Sequence, residues 1–144
     1  IGDCVMAVFG TPTRHDDDPA RCVRAADEIM EWLAVGNAKW KQELGSELQI
    51  AIGINTGEVI VGNIGSTKRM EYTVIGDTVN TAARLEGLSH DPPFPVLISE
   101  AVQRELDERF AVRSLPAATV KGRTAPVELY AVDGYDESRA HGLP

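Results

Sequence analysis

Apolar residues recur at helical spacing just after a run of three aspartates. Residues 16–18 are aspartates, Pro19 follows them, and apolar positions come three or four residues apart from Val23 to Leu33. Acidic residues stabilise the first turn of a helix, and proline suits its first position. The pattern therefore predicts an amphipathic helix that runs through about Leu33 and on toward Leu44. Helix capping explains the aspartates better than a metal site does.

Short β-branched and apolar runs predict strands in five further places. These are residues 4–9, 48–55, 58–63, 72–75 and 96–98. The Thr56-Gly57 dipeptide predicts a tight turn that joins the second and third runs as a hairpin. Gly62 and Gly65 lie within or next to a predicted strand, where glycine marks a bend or the close approach of another group.

Helix and hairpin signals occupy the rest of the chain. Residues 78–88 predict a helix that follows a Gly-Asp turn, with Asp77 as its candidate cap. Ser99 is placed to cap another helix, which we expect to run through about Phe110. Residues 111–132 predict a β-hairpin, and the polar residues 136–144 are expected to fray. This alternation predicts an α+β fold in which helices pack on a mostly antiparallel sheet.

Composition fits one soluble globular domain and disfavours several functions. The chain has 144 residues, of which 43% are apolar and 25% charged. Its net charge of −8 argues against a nucleic-acid surface, because such domains are typically basic. No run approaches the roughly 18 apolar residues that predict a membrane span. Cys4 and Cys22 are interpreted as buried free thiols, and the three scattered histidines do not have the spacing of a zinc site.

The most informative residues lie in the predicted helix 78–88. Asn80 and Arg84 are four residues apart, so they lie one above the other on the same helix face. An amide can orient a hydroxyl, and a guanidinium can neutralise phosphate oxygens. The pair therefore suits a polyanionic ligand that carries a ribose, although many helices carry such a pair on a solvated face.

The surrounding residues are more specific than the pair. Residues 69–86, which include Gly-Asp-Thr-Val-Asn-Thr-Ala-Ala-Arg, closely resemble the signature of class III nucleotidyl cyclases, the enzymes that make cyclic AMP or cyclic GMP. Residues 2–10, 52–65 and 121–130 resemble three further segments of that family, in the family's order. The chain is thus identified, by resemblance, with the catalytic domain of these cyclases and with bacterial adenylate cyclases that carry Thr at the purine-contacting position.

The resemblance implies a fold and an assembly. It predicts a ferredoxin-like α/β sandwich in residues 1–135, without the family's first strand and helices, followed by the polar tail 136–144. The chain starts inside a motif at Ile1, so we expect it to be part of a longer protein. The family's first metal-binding aspartate and a lysine that reads the purine would both precede Ile1. Family active sites lie between two domains, so a head-to-tail homodimer is expected. The domain is expected in the cytoplasm, and membrane anchoring of the parent protein stays open.

The resemblance also assigns roles to five residues. Asp3 matches the second metal-binding aspartate, in a site for two divalent cations, Mg²⁺ or Mn²⁺. Asn80 would orient the ribose of ATP, and Arg84 would stabilise charge on the α-phosphate. Lys121 matches a lysine that contacts the terminal phosphates. Thr73 occupies the position that reads the purine and favours adenine. The implied reaction converts ATP to cyclic AMP and pyrophosphate.

Two alternatives keep the same fold. A guanylate cyclase would retain the catalytic residues and change only the purine contacts. A non-catalytic nucleotide-binding or dimerisation domain would retain the shape without the reaction. The presence of Asp3, Asn80, Arg84 and Lys121 argues against this second alternative.

Overall fold

A computed structural model describes residues 3–66, 69–88, 94–118 and 127–141. The helices and strands, in chain order, are α1 (Asp18–Leu44), β1 (Ile52–Ile54), β2 (Ile60–Ser66), β3 (Arg69–Ile75), α2 (Asp77–Leu88), β4 (Val96–Ser99), α3 (Glu100–Gln103), β5 (Phe110–Ala118) and β6 (Val127–Tyr135), followed by a 3₁₀ turn (Glu137–His141). The predicted α+β class is confirmed.

The strands form a four-stranded sheet and a separate hairpin. The sheet has the order β1-β4-β6-β5, with β1 parallel to β4 and the other two pairings antiparallel. The predicted hairpin 111–132 is confirmed as β5 and β6, and Lys121, which lies between them in the sequence, is outside the described residues. Strands β2 and β3 pair with each other in antiparallel register, from Ile60 opposite Ile75 to Ser66 opposite Arg69.

The long helix α1 confirms the prediction from helical spacing. It runs from Asp18 to Leu44 with Pro19 in its first turn, and it ends at Gly45, whose N–H donates to the Lys41 carbonyl oxygen over 3.1 Å. The predicted acidic first turn is confirmed by Asp18, but the predicted side-chain cap is not formed. Asp17 is the N-cap residue, but its side chain makes no capping hydrogen bond. The Asp18 carboxylate instead accepts the His15 N–H at 2.9 Å and so holds the preceding turn.

The two main helices pack on opposite faces of the sheet. Successive strand residues point to opposite faces, and β4 is buried along its whole length. Val96 and Ile98 pack with Val23 of α1, whereas Leu97, between them, packs with Leu85 of α2. Burial on both faces explains why β4 is a continuous apolar run rather than an alternating one.

Gly53 sets the distance between α2 and the sheet. A Cβ atom at Gly53 would overlap the carbonyl oxygen of Ala82 and the amide nitrogen of Glu86, and it would lie 2.9 Å from the Leu85 Cβ. The backbone of α2 therefore rests directly on β1, where no side chain can fit between them. For Gly62 the sequence left a bend or a close approach open, and a Cβ there would meet no atom of the described residues within 4 Å.

Three sequence predictions about strands and helices are wrong. Residues 4–9 form no strand and are exposed, with Val5 at 90%, because none of the described strands pairs with them. Residues 48–63 form no hairpin, since β1 pairs with β4 and β2 pairs with β3. The helix after Ser99 ends at Gln103, and the chain then turns so that Phe110 begins β5 in the core.

Smaller expectations have mixed outcomes. Cys22 is half-buried, and its burial raises the thiol pKa to about 11, whereas Cys4 is exposed, contrary to expectation. The tail is not frayed over Glu137–His141, because the Asp136 carboxylate accepts hydrogen bonds from the N–H and hydroxyl of Ser138. Within the described part of the chain, no helix is both long and apolar enough to span a membrane.

Gly53→Ala should destabilise the fold because its methyl group would push α2 away from β1. Overpacking of this kind lowers the free energy of unfolding by about 1–3 kcal/mol, which urea denaturation would measure. Gly87→Ala is the matched control, since its Cβ would meet no atom within 4 Å and alanine favours helix by about 0.5–1 kcal/mol. Equal stability of the Gly53→Ala and wild-type proteins would contradict the close packing.

Asp27→Asn should stabilise the protein at neutral pH. Burial, followed by repulsion from Glu31 and Glu28, raises the pKa of the Asp27 carboxyl. A carboxyl with a raised pKa in the folded state favours folding while it is protonated, and this advantage is lost as pH rises through its folded pKa. The Tm gain of the variant should thus be largest near pH 7 and vanish in acid.

Asp133→Asn provides the control for this pH dependence. It removes the ion-pair partner of Arg113, which lies 2.8 Å from Asp133, so it should not raise the Tm at pH 7. A gain for Asp27→Asn that stays constant down to pH 3 would refute the electrostatic explanation.

Candidate functional site

Helix α2 carries the two residues that the sequence singles out. It begins directly after β3, where Gly76 adopts a φ of 147°, and the Gly76 carbonyl oxygen accepts the N–H groups of Val79 and Asn80. Asp77 is the first residue of the helix, where a carboxylate interacts favourably with the helix dipole. This places Asp77 at the helix start, as predicted.

The two faces of α2 have different roles. Thr81 and Leu85, one turn apart, are its buried residues. Asn80 is exposed and Arg84 is half-buried, and they lie one turn apart next to that buried stripe. Because Leu85 is fully buried in the core, the rotation of the helix is fixed. The packing therefore brings Asn80 and Arg84 to one outward face at a set height above the sheet.

A polar network holds the first turn of α2. The Asn55 side chain donates from Nδ2 to the Thr78 carbonyl oxygen at 3.1 Å, and its Oδ1 accepts the Ser99 hydroxyl at 2.7 Å. The Thr78 hydroxyl donates to the Glu58 carbonyl oxygen at 2.7 Å. The segment 55–58, at the end of β1, thus contacts both the main chain and the side chain of the second residue in the helix.

A cavity lies beside this helix start. It has a volume of about 140 Å³ and is bordered by residues 6–9, by Cys22 of α1, by Asn55, and by Thr78 and Ala82 of α2. The raised pKa of the Cys22 thiol keeps it protonated at neutral pH, so Cys22 is an inert wall of the cavity. Asp3 is exposed and stands three residues before Met6. The segment that carries Asp3 therefore borders the same cavity as α2.

The remaining predicted residues lie on the hairpin and beyond the described chain. Thr73 is in β3, opposite Gly62 of β2, and β3 leads through Gly76 into α2. Lys121 falls outside the described residues. In the ranges that the structure describes, no three His, Cys, Asp or Glu side chains gather into a group that could hold a metal ion. The structure therefore brings together Asn80 and Arg84 on one helix face, while the roles of all five residues stay predictions.

Sequence reasoning missed the residues that support α2. Asn55 and Ser99 were interpreted as a strand end and a helix cap, and Gly53 received no role. A glycine inside an apolar strand is a known signal of close packing. Nothing in the sequence indicates the Asn55 network, because its partners are 23 and 44 residues away.

Comparison with known proteins gives a family match over most of the chain. Residues 1–134 match the family described as the adenylate and guanylate cyclase catalytic domain. Adenylate cyclase 1 of Rhizobium meliloti (strain 1021) is 38% identical over 136 residues, which cover 92% of this chain and 20% of that protein. The chain therefore spans about a fifth of that relative's length.

Solved structures give the same result. The crystal structure of the adenylyl cyclase CyaB from P. aeruginosa superposes with a TM-score of 0.87 and 33% identity, covering 95% of this chain and 70% of that one. The guanylyl cyclase Cya2 superposes with a TM-score of 0.76 and 36% identity, covering 90% and 64%. The chain belongs to the class III nucleotidyl cyclase family, as part of its adenylate and guanylate cyclase catalytic domain.

Proposed function

We propose that the protein containing this chain is an adenylate cyclase, which converts ATP to 3′,5′-cyclic AMP and pyrophosphate. One observation carries the proposal: in a chain of the cyclase family, Asn80 and Arg84 lie one turn apart on a helix that is locked against the sheet. Adenylate cyclase 1 of R. meliloti and the P. aeruginosa adenylyl cyclase support ATP as the substrate. Thr73 supports it too, since a hydroxyl can serve the adenine amino group and a ring nitrogen.

The reaction explains why an amide and a guanidinium suit this face. The ribose 3′-oxygen attacks the α-phosphorus in line, loses its proton, and the bond from that phosphorus to the pyrophosphate oxygen breaks. Asn80 would hold the ribose so that the 3′-oxygen lies in line, which is an effect of orientation. Arg84 would bind the α-phosphate oxygens and stabilise the negative charge that develops on them. Lys121 would contact the terminal phosphates and steady the leaving group.

Among the residues that the structure describes, Asp3 is the one that we assign to divalent metal binding. Its carboxylate is exposed, and Mg²⁺ and Mn²⁺ prefer such oxygen ligands. When bound, these ions lower the proton affinity of the 3′-oxygen and neutralise the triphosphate. The family resemblance assigns the companion aspartate to a position before Ile1. The donor type of Asp3 therefore fits the proposed pair of ions, with further ligands supplied from outside the described residues.

A second cyclase domain belongs to the proposal. In the family, each site lies between two domains that contribute different residues, and this chain contains one copy of the motif that carries Asn80 and Arg84. We infer a head-to-tail homodimer with two composite sites.

Arg84→Ala should lower kcat for cyclic AMP by about 100-fold or more, because one donor to the developing transition-state charge is lost. The measurement is product formation by the full protein, with ATP or GTP and Mn²⁺. Arg104→Ala is the matched control, since the Arg104 side chain is exposed and forms a surface ion pair with Glu100 at 2.6 Å.

Assays with ATP and with GTP distinguish the alternative functions. Cyclic GMP as the main product would overturn the choice of ATP and the role of Thr73, while leaving the mechanism in place. Absence of any cyclic nucleotide from the folded wild-type protein would overturn the enzyme function and favour a non-catalytic nucleotide-binding domain. Activity retained in Arg84→Ala would refute the role of Arg84.

Asp3→Asn should weaken Mn²⁺ binding in the presence of a non-reactive ATP analogue. The loss should exceed about tenfold, which is what removal of an outer partner of a metal ligand already causes. Electron paramagnetic resonance of free Mn²⁺ would measure it. Asp16→Asn, which changes another exposed aspartate in the turn before α1, should leave the affinity unchanged. Equal losses in both variants would refute a ligand role for Asp3.

A further inference from the structure

Asn55 joins three elements through one carboxamide. It stands directly after β1, and its side chain contacts the first turn of α2 through Thr78 and the end of β4 through Ser99. The Ser99 hydroxyl also accepts the Val102 N–H at 3.3 Å, which caps α3. One amide therefore ties the helix of the proposed site to the central strand of the sheet.

The chemistry of the partners fixes the orientation of this amide. The Thr78 carbonyl oxygen can only accept a hydrogen bond, so the Asn55 NH₂ group must face it. The Asn55 oxygen is then left for Ser99, whose single hydroxyl proton is free to be donated because Ser99 accepts from Val102. Each group in the network has the partner that its chemistry requires, so the network has one arrangement.

The hydrogen bonds of Asn55 hold the part of α2 that carries Asn80. Thr78 precedes Asn80 by two residues and is held twice, through its carbonyl oxygen by Asn55 and through its hydroxyl by Glu58. Gly53 supports the helix further along, at Ala82 and Glu86. The first turn of a helix is otherwise its least constrained part, because its N–H groups lack partners within the helix. Asn55 thus constrains the first turn of α2, which the close packing at Gly53 does not reach.

We propose that Asn55 is a positioning residue for cyclisation, which holds the first turn of α2 so that Asn80 keeps the ribose in line. The inference rests on the proposed adenylate cyclase function. Asn55 does not contact the nucleotide in this account, and its effect is transmitted through Thr78. Because in-line attack depends strongly on geometry, a small displacement of Asn80 should slow the reaction more than it weakens ATP binding.

The test is Asn55→Asp in the full protein. The substitution keeps the size and the acceptor for Ser99, but it places a carboxylate oxygen against the Thr78 carbonyl oxygen, which repels it. We expect kcat to fall about tenfold or more, within the range that misplacement of about 1 Å produces, while KM for ATP changes much less. Amide hydrogen exchange at Val79 and Asn80 should become faster.

Asn37→Asp is the matched control. Asn37 also donates one hydrogen bond and accepts one, donating to the Leu48 carbonyl oxygen at 2.9 Å and accepting the Leu48 N–H at 2.7 Å, but these exposed bonds tie α1 to the following loop. The variant should lose some stability in a melting experiment and keep kcat. A kcat loss that is equal in both variants, or a wild-type kcat in Asn55→Asp, would overturn the positioning role.

Asn55→Ala keeps the test decisive if Asn55→Asp does not fold. It removes the amide that binds Thr78 and Ser99 without placing a charge against the Thr78 carbonyl oxygen, so it should lower kcat in the same way with little change in KM. Unchanged kcat in Asn55→Ala would overturn the proposal. An inactive but folded wild-type protein would overturn the proposed function and, with it, the catalytic role. In that case, the exchange rates would still decide whether Asn55 holds the helix.

Discussion

The contact between the backbone of α2 and Gly53 of β1 is the constraint on which the rest of the structure depends. No side chain fits between the helix and the strand at this point, so the height of the helix above the sheet is set by the backbones themselves. Leu85 then fixes the rotation of the helix by its burial with Leu97 and Leu129. Backbone contact and side-chain burial together leave α2 with one position. The positions of Asn80 and Arg84 follow from the position of the helix.

Apolar packing and polar ties act on different parts of the same helix. The middle of α2 is held by close packing and burial, which constrain height and rotation but leave the first turn free to fray. The Asn55 network and the Thr78 hydroxyl hold that turn instead. This division suits a site whose ligand is polar, because the residues that hold the helix lie on its inner side and leave its outer face open to the proposed nucleotide.

The sequence predicted those features whose causes are local. Helical spacing and Pro19 predicted α1, and the four-residue spacing of Asn80 and Arg84 predicted a common face on α2. Features that depend on distant partners were missed. The Thr56-Gly57 dipeptide has the residues of a hairpin turn, yet β1 pairs with β4, more than 40 residues away, because that strand buries both its faces.

The other errors have the same origin. Residues 4–9 have the composition of a strand, but a strand also requires a partner, and the described strands provide none. The helix predicted after Ser99 ends at Gln103, and further along the chain the Asp107 carboxylate accepts the Arg109 N–H in the turn that precedes Phe110 of the core. The Asn55 hydrogen bonds could not be predicted for the same reason, because their partners are distant in the sequence. Asp3, Thr73 and Lys121 were assigned by resemblance to the family, and their roles await experiment.

The central claim is that the outward face of α2 binds and activates the nucleotide. The most direct test is a crystal structure of the full protein with Mn²⁺ and a non-reactive ATP analogue. The account predicts hydrogen bonds from the Asn80 amide to the ribose and from the Arg84 guanidinium to the α-phosphate, with the backbone of α2 still resting on Gly53. A nucleotide bound away from this face, with neither side chain in contact, would contradict the account.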